Sequence, residues 1–135
     1  AHAGGLGGTF GGSPTAVAAG VAVLEQIEQG GWLERATAIG DLLTSRLTAL
    51  QSQYPVIGDV RGKGAMIAIE LVEPGTKTPN AKGVEELVKH CHQNGVLILN
   101  AGTYNNVIRF LPPLAITDEL LHDALDVLAA GLAKL

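Results

Sequence analysis

The sequence contains little cysteine, few aromatic residues and little net charge, and each shortage excludes a class of protein. A single cysteine, Cys91, rules out an internal disulfide and suits a reducing compartment, so we expect a cytoplasmic location. Aromatic residues make up 4% of the chain, too few for a base-stacking platform, and the net charge of −4 argues against nucleic-acid and anionic membrane surfaces. No apolar run approaches the roughly 20 residues that cross a bilayer, and no signal-peptide pattern is present.

The composition suits one ordinary globular domain or a fragment of a larger one. An apolar share of 47% in 135 residues is ample for a hydrophobic core. The chain opens without methionine on a glycine-rich loop, with six glycines among residues 1–12 and no helix or strand before them. Because such loops usually connect two elements, we expect the sequence to be part of a longer protein.

Four segments have the apolar periodicity of amphipathic helices. The first follows Ser13-Pro14, an N-cap residue and a proline at the first helical position, and it ends at Gly30-Gly31. The second covers about residues 32–51, the third about 80–93, and Thr117 caps the last. The apolar stripes are Val17, Val21, Leu24 and Ile27 in the first helix, Leu33, Ala36, Ile39, Leu43, Leu47 and Leu50 in the second, Val84, Leu87, Val88 and Cys91 in the third, and Leu121, Leu125, Leu128 and Leu132 in the last.

Four shorter segments favour strands. Residues 56–60 and 65–72 are predicted to pair around a tight turn, Arg61-Gly62-Lys63-Gly64. The other two predicted strands are residues 96–99 and the second half of 102–113, and two prolines end the latter. The order of helices and strands indicates an α+β domain, a small and mainly antiparallel sheet covered by helices.

One charged residue is out of place in the last predicted strand. Arg109 is a permanent cation between apolar neighbours, where an unpaired charge is costly. Asp118 and Glu119, the nearest acids in sequence, fall in the first turn of the last predicted helix. Arg109 is therefore paired with a distant acid such as Glu70, or solvated on an edge strand, or placed as a two-pronged clamp for the carboxylate of a small acid.

The glycine-rich opening loop is the second candidate site. Its backbone N–H groups and the helix N-terminus that follows attract anions, and Thr9 adds a hydroxyl donor, so the loop suits a phosphate. It is not a P-loop, because no Gly-Lys-Ser/Thr follows, and it is a poor dinucleotide fingerprint. A flexible connector explains the same residues.

The run His90-Cys91-His92 is a weak candidate for a metal site. On a helix these three side chains point in different directions, whereas metal ligands need i, i+3 or i, i+4 spacing, so we expect no bound metal. No convincing nucleophile–base pair is visible elsewhere. The residues alone therefore define no catalytic set.

Three segments occur in the order in which the class III aminotransferases have them, and the chain resembles that family over nearly all of its length. The first is Gly7-Gly8-Thr9-Phe10-Gly11-Gly12-Ser13-Pro14, the second is Val60-Arg61-Gly62-Lys63-Gly64-Ala65-Met66, and the third is residues 102–113, ending in Val107-Ile108-Arg109-Phe110-Leu111-Pro112-Pro113. The third segment most resembles the 4-aminobutyrate aminotransferases.

The resemblance implies a fold-type I enzyme that uses pyridoxal 5′-phosphate, with this chain as its C-terminal part. Residues 1–31 would be the end of the large cofactor domain and a linking helix, and residues 32–135 the small C-terminal domain. The enzyme would be a homodimer that moves the amino group of 4-aminobutyrate, or a similar ω-amino acid, to 2-oxoglutarate, giving succinate semialdehyde and glutamate. The catalytic Schiff-base lysine would lie upstream of Ala1, so the fragment by itself should be inactive.

The same resemblance assigns roles to two residues. Thr9 would bind the cofactor phosphate in the active site of the partner subunit, and Arg109 would bind the substrate carboxylate, chiefly that of 2-oxoglutarate or glutamate. Ser13 stands where the family commonly has Asn, and since both residues serve as N-caps we expect little consequence. Two other classes stay open: a stand-alone α+β module that binds a small acid, and a non-catalytic interaction domain.

Overall fold

The computed structural model of the protein describes residues 2–5 and 7–135, which form two compact units, Ala1–Leu33 and Glu34–Leu135. None of the helices in this described part is long and apolar enough to cross a membrane. The elements found among the described residues are α1 (Pro14–Gln29), α2 (Trp32–Gln53), β1 (Ile57–Lys63), β2 (Met66–Leu71), α3 (Ala81–Gln93), β3 (Leu99–Ala101), β4 (Val107–Phe110) and α4 (Asp118–Leu132).

In the unit Ala1–Leu33, helix α1 has the predicted apolar spacing but buries none of its residues. Ser13 is the N-cap residue and Pro14 begins the helix, as predicted, although the Ser13 side chain makes no capping hydrogen bond. Pro14 sets the backbone angle of the first turn and has no N–H to satisfy, and the helix start therefore depends less on a capping side chain. The apolar residues of the stripe are 40% to 61% exposed: Val17, Val21, Leu24 and Ile27.

The unit Glu34–Leu135 is built on a four-stranded antiparallel sheet with the strand order β1-β2-β4-β3. The predicted alternation in β2 is confirmed, since Ile67, Ile69 and Leu71 are all buried. Together with the helices, these side chains form one hydrophobic core, and the predicted α+β class is confirmed. The residues that the helices and β4 bring to this core include Ile39, Leu43, Leu47, Leu50, Val84, Leu87, Cys91, Ile108, Leu121, Leu125, Leu128 and Leu132.

Helices α2 and α4 match their predicted faces closely. In α4 the whole predicted stripe is buried, and Thr117 caps the helix by accepting a hydrogen bond from the Leu120 N–H at 3.3 Å. In α2 the stripe is buried from Ile39 onward, whereas Leu33 is 65% exposed. A close approach fixes α2 against the β1–β2 turn: a Cβ at Gly40 would lie 2.3 Å from the carbonyl oxygen of Gly64, so only glycine fits there.

The β1–β2 hairpin is longer than predicted. Arg61, Gly62 and Lys63 continue β1 instead of forming the turn, which falls at Gly64 and Ala65. Gly62 permits this because a Cβ there would lie 2.2 Å from the carbonyl oxygen of Met66. Glycine in this hairpin therefore allows close packing of two strands, and Arg61 is a strand residue rather than a turn residue.

Strand β3 begins where the sequence predicted that it would end. Residues 96–98 instead connect to α3, since the Val96 N–H donates to the Cys91 carbonyl at 2.9 Å and His92 Nε2 lies 2.8 Å from the Ile98 carbonyl oxygen. The strand is Leu99–Ala101, and Leu99 lies opposite Arg109 in β4. The expected strand at 96–99 was wrong because backbone groups of residues 96–98 form hydrogen bonds to the end of α3.

Candidate functional site

Arg109 lies in the middle of the sheet on the face opposite the hydrophobic core. In β4 it is flanked by Ala68 of β2 on one side and Leu99 of β3 on the other. Its neighbours in sequence point into the core: Ile108 is fully buried and Phe110 is half-buried. Successive side chains of a strand point to opposite faces, so Arg109 lies on the face away from the core although its sequence neighbours are apolar.

We call this open side the outer face and define it by six residues that the strand register places together. In one row Arg61 of β1 lies opposite Ala68, which in turn lies opposite Arg109, and Leu99 follows. In the next row Asp59 of β1 lies opposite Glu70 of β2. The members of the outer face are Asp59, Arg61, Ala68, Glu70, Leu99 and Arg109.

Arg109 is exposed, and among residues 2–5 and 7–135 its guanidinium has no hydrogen-bond or ion-pair partner. The sequence left open a pairing with Glu70, and that alternative is wrong. Glu70 Oε2 lies 2.7 Å from Arg61 Nη1 instead. A guanidinium that no acid of the described chain neutralises is available for an anion that comes from elsewhere.

Arg61 is the second arginine of the outer face, and two acids contact it. Its Nη1 donates to Asp59 Oδ2 at 2.6 Å and lies 2.7 Å from Glu70 Oε2. These bonds to Asp59 and Glu70 raise the pKa of the Arg61 guanidinium, which stays charged at any physiological pH. The two arginines of one row therefore differ: Arg61 is neutralised by acids, and Arg109 is not.

Asn106 is a site residue that sequence reasoning missed. Its side chain is only 2% exposed, and its Nδ2 donates to the Leu71 carbonyl at 3.0 Å and to Glu70 Oε1 at 3.3 Å. The backbone carbonyl of Asn106 accepts a hydrogen bond from the Leu71 N–H at 2.7 Å. Asn106 therefore fixes the start of β4, three residues before Arg109. The one signal in the sequence was the pair Asn105-Asn106, since asparagine is common in tight turns. In the structure Asn105 has a φ of 54°, which asparagine tolerates.

A groove of about 710 Å³ borders this region between the β3–β4 edge and α4. Arg109 contributes to its lining, but most of the other lining residues are apolar, among them Leu99, Phe110 and Leu120. Carboxylate recognition needs hydrogen-bond donors, which the guanidinium of Arg109 supplies and to which the mainly apolar groove adds few. We therefore place the candidate site at Arg109 on the outer face.

Thr9 belongs to the other compact unit and lies in an open loop. The loop turns at residues 8–11, where the Gly11 N–H donates to the Gly8 carbonyl at 3.0 Å. Thr9 is exposed, and its hydroxyl has no partner in the part of the chain that the structure describes. Nothing lies within 4 Å of a Cβ built on Gly7 or Gly8. An unused hydroxyl beside uncrowded backbone fits a phosphate group; Leu6, in the same loop, lies outside the described residues.

Cys91 and His92 of the run His90-Cys91-His92 have structural roles, one in the core and one in a hydrogen bond to the backbone. Cys91 is buried, and burial raises the pKa of its thiol to about 11, so the thiol is protonated at neutral pH. His92 bonds the Ile98 carbonyl, as described above. Among the described residues, no group of three or more His, Cys, Asp or Glu side chains is arranged to hold a metal ion.

Comparison with known proteins places the chain in a family. Residues 1–132 match the profile of the family Aminotransferase class-III, and the chain belongs to the class III aminotransferases. This is the family that its three motifs resemble, and its members depend on pyridoxal 5′-phosphate.

The similar curated proteins are ω-amino acid aminotransferases by name. A 4-aminobutyrate aminotransferase of Mycobacterium bovis is 54% identical over 134 residues, which cover 99% of this chain and 30% of that protein. A 5-aminovalerate aminotransferase of Pseudomonas putida is 47% identical over 132 residues, or 98% of this chain and 31% of the relative. The chain thus spans about 30% of the length of these relatives.

Solved structures of aminotransferases have the same fold. An aminotransferase of Bacillus anthracis matches with a TM-score of 0.84 and 33% identity, over 94% of this chain and 30% of that one. An amine transaminase from an uncultivated Pseudomonas species, determined in its PLP-bound form, matches with a TM-score of 0.83 and 34% identity, over 98% of this chain and 30% of the other.

Proposed function

We propose that this chain is the C-terminal part of a pyridoxal-phosphate-dependent aminotransferase. The enzyme moves the amino group of 4-aminobutyrate, or of a similar ω-amino acid, to 2-oxoglutarate, and gives succinate semialdehyde and glutamate. The observation that carries this proposal is the exposed guanidinium of Arg109, which has no acidic partner in the described chain. Family membership and the names of the similar proteins support the reaction class.

The proposal divides the chain as the resemblance does. Residues 1–31 are the end of the large cofactor domain and a linking helix, and residues 32–135 are the small domain. Since the chain spans about 30% of its relatives, the Schiff-base lysine is proposed to lie upstream of Ala1, and the fragment alone to be inactive. The chain's own lysines stand outside the three motifs, apart from Lys63 at the end of β1.

Arg109 is proposed to bind the carboxylate of 2-oxoglutarate or glutamate. A guanidinium presents two parallel N–H donors that match the two oxygens of a carboxylate, which fixes the orientation of the substrate as well as its position. Because Arg109 lies in the middle of a hydrogen-bonded strand, its backbone is fixed, and the ordering required on binding is confined to its side chain.

Thr9 is proposed to hold the cofactor by its phosphate. When bound, pyridoxal phosphate supplies an electron sink for the substrate carbon that carries the amino group. The Thr9 hydroxyl would donate a hydrogen bond to a phosphate oxygen in the active site of the partner subunit of a homodimer. A cytoplasmic location is part of the same proposal, and a free, buried Cys91 is compatible with it.

The proposal is tested in the full-length enzyme by the Michaelis constant for 2-oxoglutarate. Arg109→Ala should raise it roughly 10- to 100-fold, since a charge-assisted, two-pronged contact is lost. Arg109→Lys keeps the charge without the planar fork and should restore only part of the affinity. Arg46→Ala is the matched control, because it removes an exposed ion pair with Asp126 on the helical side of the domain. A Michaelis constant that is equal in the Arg109→Ala and Arg46→Ala variants would refute the role of Arg109.

A further inference from the structure

Glu70 lies between two arginines on the outer face of the sheet. Ala68, two residues before Glu70 on β2, is flanked by Arg61 on one neighbouring strand and by Arg109 on the other. Glu70 is therefore a diagonal neighbour of each arginine on the same face of the sheet. Diagonal neighbours have Cβ atoms about 7 Å apart, a separation that long side chains can bridge.

Both carboxylate oxygens of Glu70 have partners other than Arg109. Oε2 lies 2.7 Å from Arg61 Nη1, and Oε1 accepts a hydrogen bond from Asn106 Nδ2 at 3.3 Å. Asn106 is buried and anchored to the backbone of Leu71, so its amide is a fixed donor. Arg61 thus neutralises Glu70, the acid diagonally beside Arg109, and Asn106 donates a hydrogen bond to it.

We infer that Arg61 is a positioning residue that holds Glu70 away from Arg109 and so keeps Arg109 available to the substrate carboxylate. This inference rests on the proposed role of Arg109. Without Arg61, Glu70 would lose its cationic partner beside the Arg109 guanidinium, which has no partner among the described residues, and the two would form an intramolecular ion pair. A substrate carboxylate would then have to displace Glu70 before it could bind.

The balance of charge around Arg61 favours the same pairing of Glu70 with Arg109. Arg61 bonds two acids, Asp59 and Glu70, through the same nitrogen, so its removal leaves two neighbouring carboxylates without a counter-charge. Their mutual repulsion favours the movement of one of them toward a neighbouring cation, and Arg109 is the arginine diagonally beside Glu70. The effect falls on carboxylate binding and not on the chemical step, so it should change the Michaelis constant and leave kcat unchanged.

The test compares four variants of the full-length enzyme by kcat and KM for 2-oxoglutarate. Arg61→Ala should raise KM about fivefold with kcat unchanged, as expected for one partly exposed ion pair that competes with the substrate. In the double variant Arg61→Ala/Glu70→Gln, the competing charge is gone, and KM should return to within about twofold of wild type. Arg109→Ala tests the underlying site, and Arg46→Ala controls for loss of an exposed ion pair.

Each outcome is decisive. A normal KM for Arg61→Ala, beside a raised KM for Arg109→Ala, overturns the inference and leaves the proposed function standing. A raised KM for Arg61→Ala that persists in the double variant also overturns it, since Arg61 then acts through structure rather than through Glu70. A normal KM for Arg109→Ala overturns both claims. If Arg61→Ala does not fold, Arg61→Gln retains most of the side-chain stem and tests the same competition.

Discussion

Replacing Asn106 by alanine should loosen the strand that carries Arg109, and the structure allows the size of the effect to be worked out. The substitution removes a buried hydrogen bond of 3.0 Å to the Leu71 carbonyl and a longer one of 3.3 Å to Glu70. The Leu71 carbonyl still accepts from the Asn80 N–H at 3.0 Å, so no buried group loses its last partner. Each lost bond contributes about 1 kcal/mol, and the local opening free energy should fall by about 2 kcal/mol.

Amide hydrogen exchange in the full-length protein measures this loss directly. A fall of about 2 kcal/mol corresponds to a roughly 30-fold loss of protection in peptides that cover β2 and β4. Asn100→Ala is the matched control on the neighbouring strand, because Asn100 is exposed and its side-chain bond to Asn105 is 3.5 Å long. If protection in β4 changes no more in Asn106→Ala than in Asn100→Ala, the view that Asn106 anchors this strand is refuted.

Two further predictions concern Thr9 and Cys91. Thr9→Ala should weaken retention of pyridoxal phosphate on dialysis, whereas Thr9→Ser, which keeps the hydroxyl, should retain it; equal loss from both would contradict the phosphate contact. The Cys91 thiol has a pKa raised to about 11 by burial, so it should resist alkylation in the native protein, as measured by mass spectrometry of its peptide. Because the folded protein favours the protonated thiol, the stabilisation from burying Cys91 is complete below the unfolded pKa of about 8.5. It is lost as the pH rises toward 11, where burial disfavours the thiolate. Rapid native alkylation near pH 7 would contradict the burial.

The sequence predicted the helices and the core because those depend on local periodicity. The stripe of α4 and the alternation of Ile67, Ile69 and Leu71 follow from spacing alone, and both are buried as expected. The Thr117 cap is equally local and is confirmed. The β1–β2 turn was misplaced because the close strand contact at Gly62 is not encoded in residue spacing. Strand β3 was misplaced because the hydrogen bonds of residues 96–98 to α3 are not encoded there either.

The arrangement around Arg109 could be predicted only in part. An arginine between apolar residues is visible in the sequence, and so is the choice between an internal acid and an external carboxylate. Which arginine Glu70 binds depends on the register of three strands and on a buried amide 36 positions away, at Asn106. Neither feature has a local signal, so only the fold shows that Arg61 is neutralised by acids whereas Arg109 has no partner in the part of the chain that the structure describes.

The central claim, that Arg109 binds the carboxylate of the amino acceptor, is tested most directly by separating the two half-reactions in the full-length enzyme. The absorbance of the bound cofactor reports single turnovers with 4-aminobutyrate and with 2-oxoglutarate as the concentration of each is varied. We predict that Arg109→Ala weakens the apparent affinity for 2-oxoglutarate roughly 10- to 100-fold and changes that for 4-aminobutyrate much less. An unchanged affinity for 2-oxoglutarate, with the cofactor still bound, would contradict the claim.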